Sequence, residues 1–541
     1  MTQNLIPPSK GLGYKDIYLD FLAGKNPPKE FYFADSLEEV AARLDGINYD
    51  REKMAAILAR QNRAYGASEQ TLANIERLKD PKAVCVLTGQ QAGFLGGPLF
   101  SVVKMLGIVK SARLYEQQLG RPVIPVFWVA GDDHDFEEVN HLFILNRSSE
   151  PCEISYTTLP EQELPTAEIF FSDKEELDNA LNLARECLGE SDFTPDLFEL
   201  IERSYTTGDT FVTAFGKFMT GLMGGFGLVL FSPGDPEVKR HAVKFFEAVL
   251  EKQDALHGAV QAANDRILNA GYHIQVEKKD NATHLFYNLN GRKPVMREGD
   301  SFTCGEQTVP REKLLECFRD TPEKFSPDVM TRPVFQSYLL PTLVQKGGPS
   351  EIAYLAQINP LFELFGLTPP VHQARPTFTV LEKRFEKQMQ DYDISFEELT
   401  GDIEQVINRI MAVSFPDELE NEFKRLKEDV ARRFDDFSQK SLAFDPSLKN
   451  FAEQIYGKID FNLKAFEGKV FASHKKKSQE TRDRIYRLWK AVYPNRGLQE
   501  RSMNITYFIA RYGRGIIPFL YERMDSEEKS HQIIKLSEFV E

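Results

Sequence analysis

The chain has 541 residues, of which 42% are hydrophobic and 27% charged, and its formal net charge is −15. This length favours two or more domains, and the composition is ordinary for a soluble globular protein. The acidic balance argues against a nucleic-acid partner, because such binders need a basic surface, but it allows a local basic pocket for an anion. No apolar stretch reaches the length of a membrane span, so we expect no membrane partner.

The cysteines suggest where the protein works. Five of them are scattered along the chain, and no two form a C-x-x-C pair. We therefore expect neither a disulfide framework nor a Cys-rich zinc site, and a reducing environment fits. The N-terminus lacks the apolar core of a signal peptide, which predicts a cytoplasmic protein.

Residues 1–80 have the apolar spacing of helices, and the pattern then changes. The run AVCVLTG, residues 83–89, is predicted to be a buried parallel strand. A glycine loop and a helix ending near Gly120 follow, and then a second apolar strand that ends in the acidic run GDDHDFEEVNH. This is a βαβ unit, whose parallel strands place ligands at their carboxyl ends.

Two later segments repeat this scheme. A strand at residues 228–231 precedes a helix that opens at Pro236, and residues 342–366 form another strand–glycine–helix element. Between them, residues 272–303 alternate in polarity around an LNG turn, which predicts a small antiparallel insertion.

From about residue 378 the chain becomes strongly helical. Two long amphipathic segments, linked by AFDPS, have narrow apolar seams that are typical of an antiparallel coiled-coil hairpin. The fold class is therefore α/β, with a Rossmann-like parallel-sheet core carrying insertions and an α-helical coiled-coil domain. We predict a core over 1–378, a coiled-coil domain over 379–497 and a segment over 498–541 that returns to the core.

The glycine loop after the first strand is the first candidate site. Glycines let backbone approach a ligand, and the N-terminus of the next helix offers free N–H groups to an anion. Gln90 and Gln91 can donate hydrogen bonds, and Lys104 can add positive charge. The alternative is that the glycines only permit a tight strand–helix turn.

The acidic run after the second strand is the second candidate site. Its carboxylates and imidazoles can orient an amine, act as a general base or bind a metal ion. The alternative is a solvated acidic loop. The spacing of His134 and His141 matches no zinc motif, so we predict no metal site.

The segment KGGPSEIAY, residues 346–354, is the third candidate. Its glycines, with Ser350 as a candidate N-cap, indicate a helix start that favours anions. An ordinary capped helix explains the same residues equally well.

Four stretches together resemble the bacillithiol biosynthesis cysteine-adding enzyme family. They are LTGQQAGFLGGPLFSVVK, PVFWVAGDDHDFEEVNH, GGPSEIAYLAQ and LQERSMNITYFIARYG, in that order along the chain. The resemblance implies a Rossmann-type core and a coiled coil that serves in homodimerisation. It also implies the last step of bacillithiol assembly, in which the carboxyl group of cysteine forms an amide with the amine of glucosaminyl-malate.

The motifs and this resemblance assign roles to residues. We predict catalytic roles for Asp132, Asp133 and His134, with His134 as the base. We predict substrate contacts for Gln90, Gln91, Lys104, Asp135, Glu137 and His141. We predict nucleotide contacts for Gly89, Gly96, Gly97, Gly347, Gly348 and Ser350.

The cofactor stays open, with ATP as the candidate that activates the carboxyl group. Two alternatives stand beside the ligase. One is a nucleotidyltransferase-like enzyme that acts on another small carboxylate, and the other is a non-catalytic coiled-coil scaffold of the pathway.

Overall fold

The computed structural model describes residues 4–26, 28–32, 36–412 and 417–540. The chain divides into two compact units. The first unit combines the residues up to Lys383 with those from Pro494 onward, and the second unit is Arg384–Tyr493. Within the described ranges, no helix has both the length and the apolar character needed to cross a membrane.

The elements of the first unit follow in chain order. The first part contains β1 (Asn4–Ile6), α1 (Asp16–Leu22), α2 (Pro28–Phe31), α3 (Leu37–Leu44), α4 (Arg51–Ala64), α5 (Glu69–Arg77), β2 (Val84–Gln90), α6 (Phe100–Leu119), β3 (Val123–Val129), β4 (His141–Leu145), β5 (Pro151–Ser155), α7 (Lys174–Leu188), α8 (Thr194–Ser204) and α9 (Phe211–Met223). The next part contains β6 (Val229–Phe231), α10 (Pro236–His241), α11 (Val243–Glu251), α12 (Gln253–Asn269), β7 (Ala282–Asn288), β8 (Arg292–Glu298), β9 (Ser301–Cys304), β10 (Gln307–Pro310), α13 (Arg311–Asp320), β11 (Phe325–Pro327), α14 (Arg332–Leu339), β12 (Thr342–Gly347), α15 (Pro349–Ile358), α16 (Leu361–Leu364), β13 (Val371–Ala374) and β14 (Phe378–Leu381).

The remaining elements run through the second unit and back to the first. They are α17 (Lys383–Asp391), α18 (Phe396–Thr400), α19 (Ile403–Ala412), α20 (Asp417–Phe444), α21 (Lys449–Val492), α22 (Gln499–Ser502), α23 (Thr506–Tyr512), α24 (Ile516–Arg523) and β15 (His531–Lys535).

A five-stranded sheet in the order β13-β12-β2-β3-β6 forms the centre of the first unit, and all its neighbouring strands are parallel. Every residue of β3 is buried, as expected of a strand that is covered on both faces. The chain leaves β2 towards β3 on one side and later returns to β12 on the other. In such sheets the point where the strand order reverses opens a crevice beyond the carboxyl ends. The predicted α/β, Rossmann-like core is confirmed, and its crevice lies between β2 and β12.

The loop after β2 is shaped by backbone conformation. Gly96 and Gly97 have φ angles of +89° and +67°, a region that L side chains seldom adopt. A Cβ on Gly96 would also lie 3.1 Å from the Phe218 ring on α9. These two glycines therefore build the turn, and Gly96 packs against α9.

An antiparallel sheet in the order β10-β9-β8-β7-β11 confirms the predicted insertion, although it extends further along the chain than residue 303. A second antiparallel pair, β4 and β5, follows the acidic loop directly. The three strands β1, β15 and β14 form a small mixed sheet in which β14 and β15 run parallel.

The structure contains a disulfide between Cys152 on β5 and Cys187 on α7. The sequence predicted no disulfide framework, and the structure corrects this expectation with one bridge. They are 35 positions apart in sequence, and the packing of α7 against the β4–β5 pair brings their Cα atoms to 6.6 Å. Cys85 is buried and free, as its place in β2 predicts.

In the second unit, α20 and α21 form the predicted antiparallel hairpin. Phe423 faces Phe466 with ring centroids 5.8 Å apart, and Phe434 faces Tyr456 at 5.5 Å. Asp445 accepts a hydrogen bond from the Ser447 N–H and so begins the turn into α21. None of the described residues between 420 and 470 is buried, because two helices alone cannot enclose a core.

The glycine loop is held by Asn504, a fully buried residue of the C-terminal segment. Its side-chain amide donates to the carbonyls of Leu95 (3.0 Å) and Gly97 (2.6 Å). We expect Asn504→Ala to lower the free energy of unfolding of the first unit by about 2–4 kcal/mol, because two buried carbonyls lose their donor.

Urea denaturation followed by intrinsic fluorescence measures this loss. Asn179→Ala is the matched control, because Asn179 is an exposed residue of α7. Equal midpoints for the two variants would show that Asn504 does not secure the loop.

Candidate active site

A cavity of about 740 Å³ opens at the carboxyl edge of the parallel sheet. The loops after β2, β3 and β12 contribute to its wall, and so does the antiparallel sheet through Phe286 and Arg292. The predicted site residues that line it are Gly89, Gln90, Gln91, Lys104, Asp132, Asp133, His134, Gly348 and Ser350. The structure therefore brings the three candidate segments together in one site.

The other predicted residues lie outside the lining of this cavity in the described part of the chain. Asp135 and Glu137 are exposed on the acidic loop. His141 begins β4, and its Nδ1 lies 3.0 Å from Oδ1 of Asn140. Gly96 and Gly97 form the turn described above. The remaining one, Gly347, is buried at the end of β12.

A chain of hydrogen bonds links the first two candidate segments. Lys104 Nζ donates to Gln90 Oε1 (2.9 Å), and Gln90 Nε2 donates to Gln91 Oε1 (3.3 Å). Gln91 Nε2 then donates to Asp133 Oδ2 (2.9 Å). Each glutamine uses its oxygen as acceptor and its nitrogen as donor, so the chain fixes both amide orientations. The adjacent glutamines are thus positioning groups for the Asp133 carboxylate.

Lys104 has a structural role in this site. Its side chain is 5% exposed, and its three N–H groups are shared among Gly89 O (2.7 Å), Gln90 Oε1 and Glu351 Oε2 (2.9 Å). Burial lowers the pKa of Lys104, and the Glu351 carboxylate opposes that shift. Because an ammonium group has only three donors, none is left for a phosphate. Lys104 therefore has no free N–H group for the substrate contact that the sequence predicted.

Asp132 also has a partner that the sequence analysis missed. Lys239 on α10 is 1% exposed, and its Nζ lies 2.7 Å from Asp132 Oδ2. Burial lowers the pKa of Lys239, while Asp132 acts to raise it. An unpaired ammonium group here would be strongly destabilising, so Asp132 serves first to neutralise Lys239.

Asp133 and His134 lie close to Arg292, the first residue of β8. Asp133 Oδ1 accepts the backbone N–H of His134 (2.8 Å). An Arg292 terminal nitrogen lies 3.2 Å from His134 Nδ1 and 3.9 Å from Asp133 Oδ1. These three side chains line the cavity together.

Asp328 is another carboxylate in the cavity wall. It lies 3.1 Å from both His284 Nδ1 and Lys278 Nζ, and it accepts the backbone N–H of Met330 (2.9 Å). Burial acts to raise the pKa of Asp328, but His284 and Lys278 outweigh burial and hold that pKa well below its usual range. Asp328 is therefore ionised at neutral pH.

Arg332, Arg375 and Arg501 line the cavity, and so does Gly348 at the start of α15. Arg332 donates to the Tyr354 hydroxyl (2.9 Å), and Arg375 donates to Glu500 Oε1 (2.7 Å). Arg501 is exposed. A Cβ on Gly348 would lie 3.3 Å from Arg375 Nε, so glycine permits this close approach of backbone and guanidinium. The helix start and the arginines together favour an anionic ligand.

Sequence reasoning could have found some of the missed residues. Arg375 directly follows β13, so the rule for carboxyl ends of parallel strands applies to it as it does to Asp132. Arg501 lies within one of the stretches that carry the family resemblance. Arg292 and Asp328 follow no such rule, because long-range packing brings the antiparallel sheet to the cavity.

Two kinds of chemistry meet in this cavity. The cationic side chains are Lys104, Lys278, Arg292, Arg332, Arg375 and Arg501, and the anionic ones are Asp132, Asp133, Glu138, Asp328 and Glu351. An acidic chain thus contains a site that can bind carboxylates or phosphates and also hold an amine.

Comparison with known proteins gives two matching family models and several curated relatives. A family model described as "Bacillithiol biosynthesis BshC, N-terminal Rossmann-like domain" matches residues 1–376, and one described as "Bacillithiol biosynthesis BshC, C-terminal coiled-coil domain" matches residues 378–536. Curated relatives named "Putative cysteine ligase BshC" include the protein of Koribacter versatilis, which is 30% identical over 96% of this chain and 97% of its own length. The relative from Geobacillus kaustophilus is 29% identical over 95% of this chain and 97% of its own.

The two family models cover both structural units, and the relatives align along nearly the full chain. The parallel-sheet core agrees with the Rossmann-like description, and the helical hairpin agrees with the coiled-coil description. The chain belongs to the bacillithiol biosynthesis BshC family.

Proposed function

We propose that the chain is a ligase that joins the carboxyl group of L-cysteine to the amine of glucosaminyl-malate, in the last step of bacillithiol biosynthesis. Family membership and the names of the relatives support this role. The observation that carries it is a cavity of about 740 Å³ in which carboxylates and guanidinium groups lie together. Both substrates combine an amine with carboxylate groups, which is the chemistry that this lining complements.

The substrate groups can be assigned to parts of the site by charge. The malyl group has two carboxylates and suits Arg332, Arg375 and Arg501. The amine that attacks suits the carboxylate of Asp133, whereas the Asp328 carboxylate is already paired with Lys278 and His284. Asp132 contributes less to substrate binding in this proposal, because Lys239 already neutralises it.

A free carboxylate is a poor acyl donor, so cysteine must be activated. A bound nucleoside triphosphate would supply a phosphoryl or adenylyl group that converts the carboxylate oxygen into a leaving group. The residues that fit its phosphates are the start of α15 at Gly348 and Ser350 with Arg332 and Arg375, since Lys104 has no donor free.

The attacking amine must lose a proton, and Asp133 is placed to take it. Gln91 and the His134 backbone N–H hold its two oxygens in the cavity wall. Its side chain stays 40% exposed, which leaves room for an amine. A positioned carboxylate of this kind contributes as a general base.

We also propose that the protein is a homodimer that forms through the hairpin of α20 and α21 and works in the cytoplasm. Phe437 is 69% exposed and Phe461 is 70% exposed, while the hairpin has no buried residue among those described between 420 and 470. A second copy would cover such aromatic side chains, as apolar patches of this kind mark interaction surfaces.

Thiol profiling tests the function directly. We expect a strain of the host organism without this gene to lose bacillithiol and to accumulate glucosaminyl-malate. Unchanged bacillithiol would contradict the ligase role and favour action on another carboxylate. Restoration of bacillithiol by the hairpin alone would instead show a scaffold.

Asp133→Asn tests the carboxylate. We expect the turnover of the purified protein with cysteine, glucosaminyl-malate and ATP to fall by about 100-fold or more, because an amide cannot accept the proton. Mass spectrometry of the amide product measures the rate. Asp192→Asn, at an exposed position outside the cavity lining, is the control and should keep full activity. Full activity of Asp133→Asn would remove Asp133 from the mechanism.

The double variant Phe437→Glu/Phe461→Glu tests the dimer. We expect its mass in solution, measured by light scattering, to fall from that of two chains to the 61.8 kDa of one, because charge opposes burial of the hairpin face. Phe170→Glu, at an exposed position of the first unit, should keep the mass of two chains. A dimeric double variant would place the interface elsewhere.

A further inference from the structure

The guanidinium group of Arg292 is held in one orientation. Its Nε donates to Ser326 Oγ (3.1 Å), and one terminal nitrogen donates to the Pro327 carbonyl (3.2 Å). The guanidinium carbon lies 3.7 Å from the centre of the Phe286 ring. These contacts come from β7, which pairs with β8, and from β11, which pairs with the other edge of β7. They give the second terminal nitrogen of Arg292 a defined direction.

That second terminal nitrogen lies 3.2 Å from Nδ1 of His134. A guanidinium group only donates hydrogen bonds, so Nδ1 must be the acceptor and must carry a lone pair. A neutral imidazole has one proton, which then sits on Nε2. An N–H at Nδ1 would instead point a donor at a donor, and a protonated ring would add a second cation at this distance.

Asp133 does not offer His134 Nδ1 a competing acceptor. Its Oδ1 lies 3.7 Å from Nδ1, beyond hydrogen-bond distance, and already accepts the backbone N–H of His134. Its Oδ2 accepts from Gln91. Among the described residues, no hydrogen-bond partner lies on Nε2 of His134, and this side chain lines the cavity. The proton on Nε2 is therefore available to a ligand.

We propose that Arg292 is a positioning residue that holds neutral His134 with its proton on Nε2, so that His134 donates a hydrogen bond to the substrate. This differs from the base role that the sequence analysis expected for His134. To accept a proton, Nδ1 would first have to lose its bond to Arg292. The donor role towards the acyl group rests on the proposed function, whereas the position of the proton does not.

In the proposed reaction, the amine nitrogen forms a bond to the carbonyl carbon of cysteine activated as a mixed anhydride with a phosphoryl group. The π electron pair moves to the carbonyl oxygen, which accepts the hydrogen bond from His134 Nε2. The amine proton passes to the Asp133 carboxylate. The carbonyl then reforms, and the C–O bond to the phosphoryl group breaks with its electron pair on the departing oxygen.

The proton position is tested by ¹⁵N NMR of the full chain with ring-labelled histidine. Comparison with His134→Gln assigns the His134 signals. We expect a pyridine-like shift at Nδ1 and a pyrrole-like shift at Nε2 at neutral pH. A pyrrole-like Nδ1, or two protonated nitrogens, would overturn the proposal.

Arg292→Met tests the cause. We expect the His134 nitrogens to move to intermediate shifts as the ring samples both tautomers, whereas Arg297→Met should leave them unchanged. Arg297 is on the same strand but pairs with Asp254 at the surface, so it controls for loss of an arginine. Wild-type shifts in Arg292→Met would show that Arg292 does not set the tautomer.

Activity separates a donor from a base. We expect His134→Ala to lower turnover by about 100-fold, the cost of losing one donor to a developing oxyanion. His134→Gln should stay within about tenfold of the wild type, because its amide N–H replaces the Nε2 donor but cannot act as a base. Equal losses in both variants would overturn the donor role. Absence of ligase activity in the wild type would instead refute the proposed function, while the NMR result would still decide the tautomer.

Discussion

The candidate site depends on the buried interactions of the Lys104 ammonium group. It joins the end of β2, through Gly89 O and Gln90 Oε1, to the first turn of α15, through Glu351. These elements border the crevice where the strand order reverses. Burial of an ion pair costs desolvation energy, and this cost is offset only when every donor has a partner. Lys104 meets this condition, so it fixes the position of the end of β2 relative to the start of α15 at the edge of the cavity.

Breaking this contact would do more than remove one ion pair. Loss of one partner of a buried pair typically costs about 3–5 kcal/mol, because the other charge is left without compensation. The effect would pass through Gln90 and Gln91 to Asp133, since each amide is oriented by the previous group. The position of the candidate base is thus coupled to a lysine that touches no substrate in the proposed reaction.

Short sequence patterns were enough to predict the strands of the parallel sheet. The strands that became β2, β3 and β12 are short apolar runs ended by glycine or acidic residues, and the crevice beyond them follows from parallel topology. Asp133 and His134 follow β3 and were predicted to lie in this crevice for that reason, and both line the cavity. Arg292 was missed because its strand belongs to a separate sheet, and no spacing in the sequence shows that this sheet reaches the cavity.

Backbone conformation and helix packing explain two differences between the sequence predictions and the structure. A glycine needed for a positive φ angle looks the same in sequence as a glycine beside a ligand site, so Gly96, Gly97 and Gly348 were all predicted to contact a nucleotide, although of these three only Gly348 lines the cavity. The pairing of Cys152 with Cys187 was not predicted, because their approach depends on how α7 packs, which no local pattern reveals.

The buried ion pair between Arg375 and Glu500 has a consequence for biosynthesis of the chain. Glu500 belongs to the segment after Pro494, which is made only after the whole of the 384–493 unit. Until that segment leaves the ribosome, Arg375 lacks its carboxylate and the glycine loop lacks Asn504. The cavity is therefore completed last, and a chain that terminates early in translation would contain most of the core yet lack these two contacts.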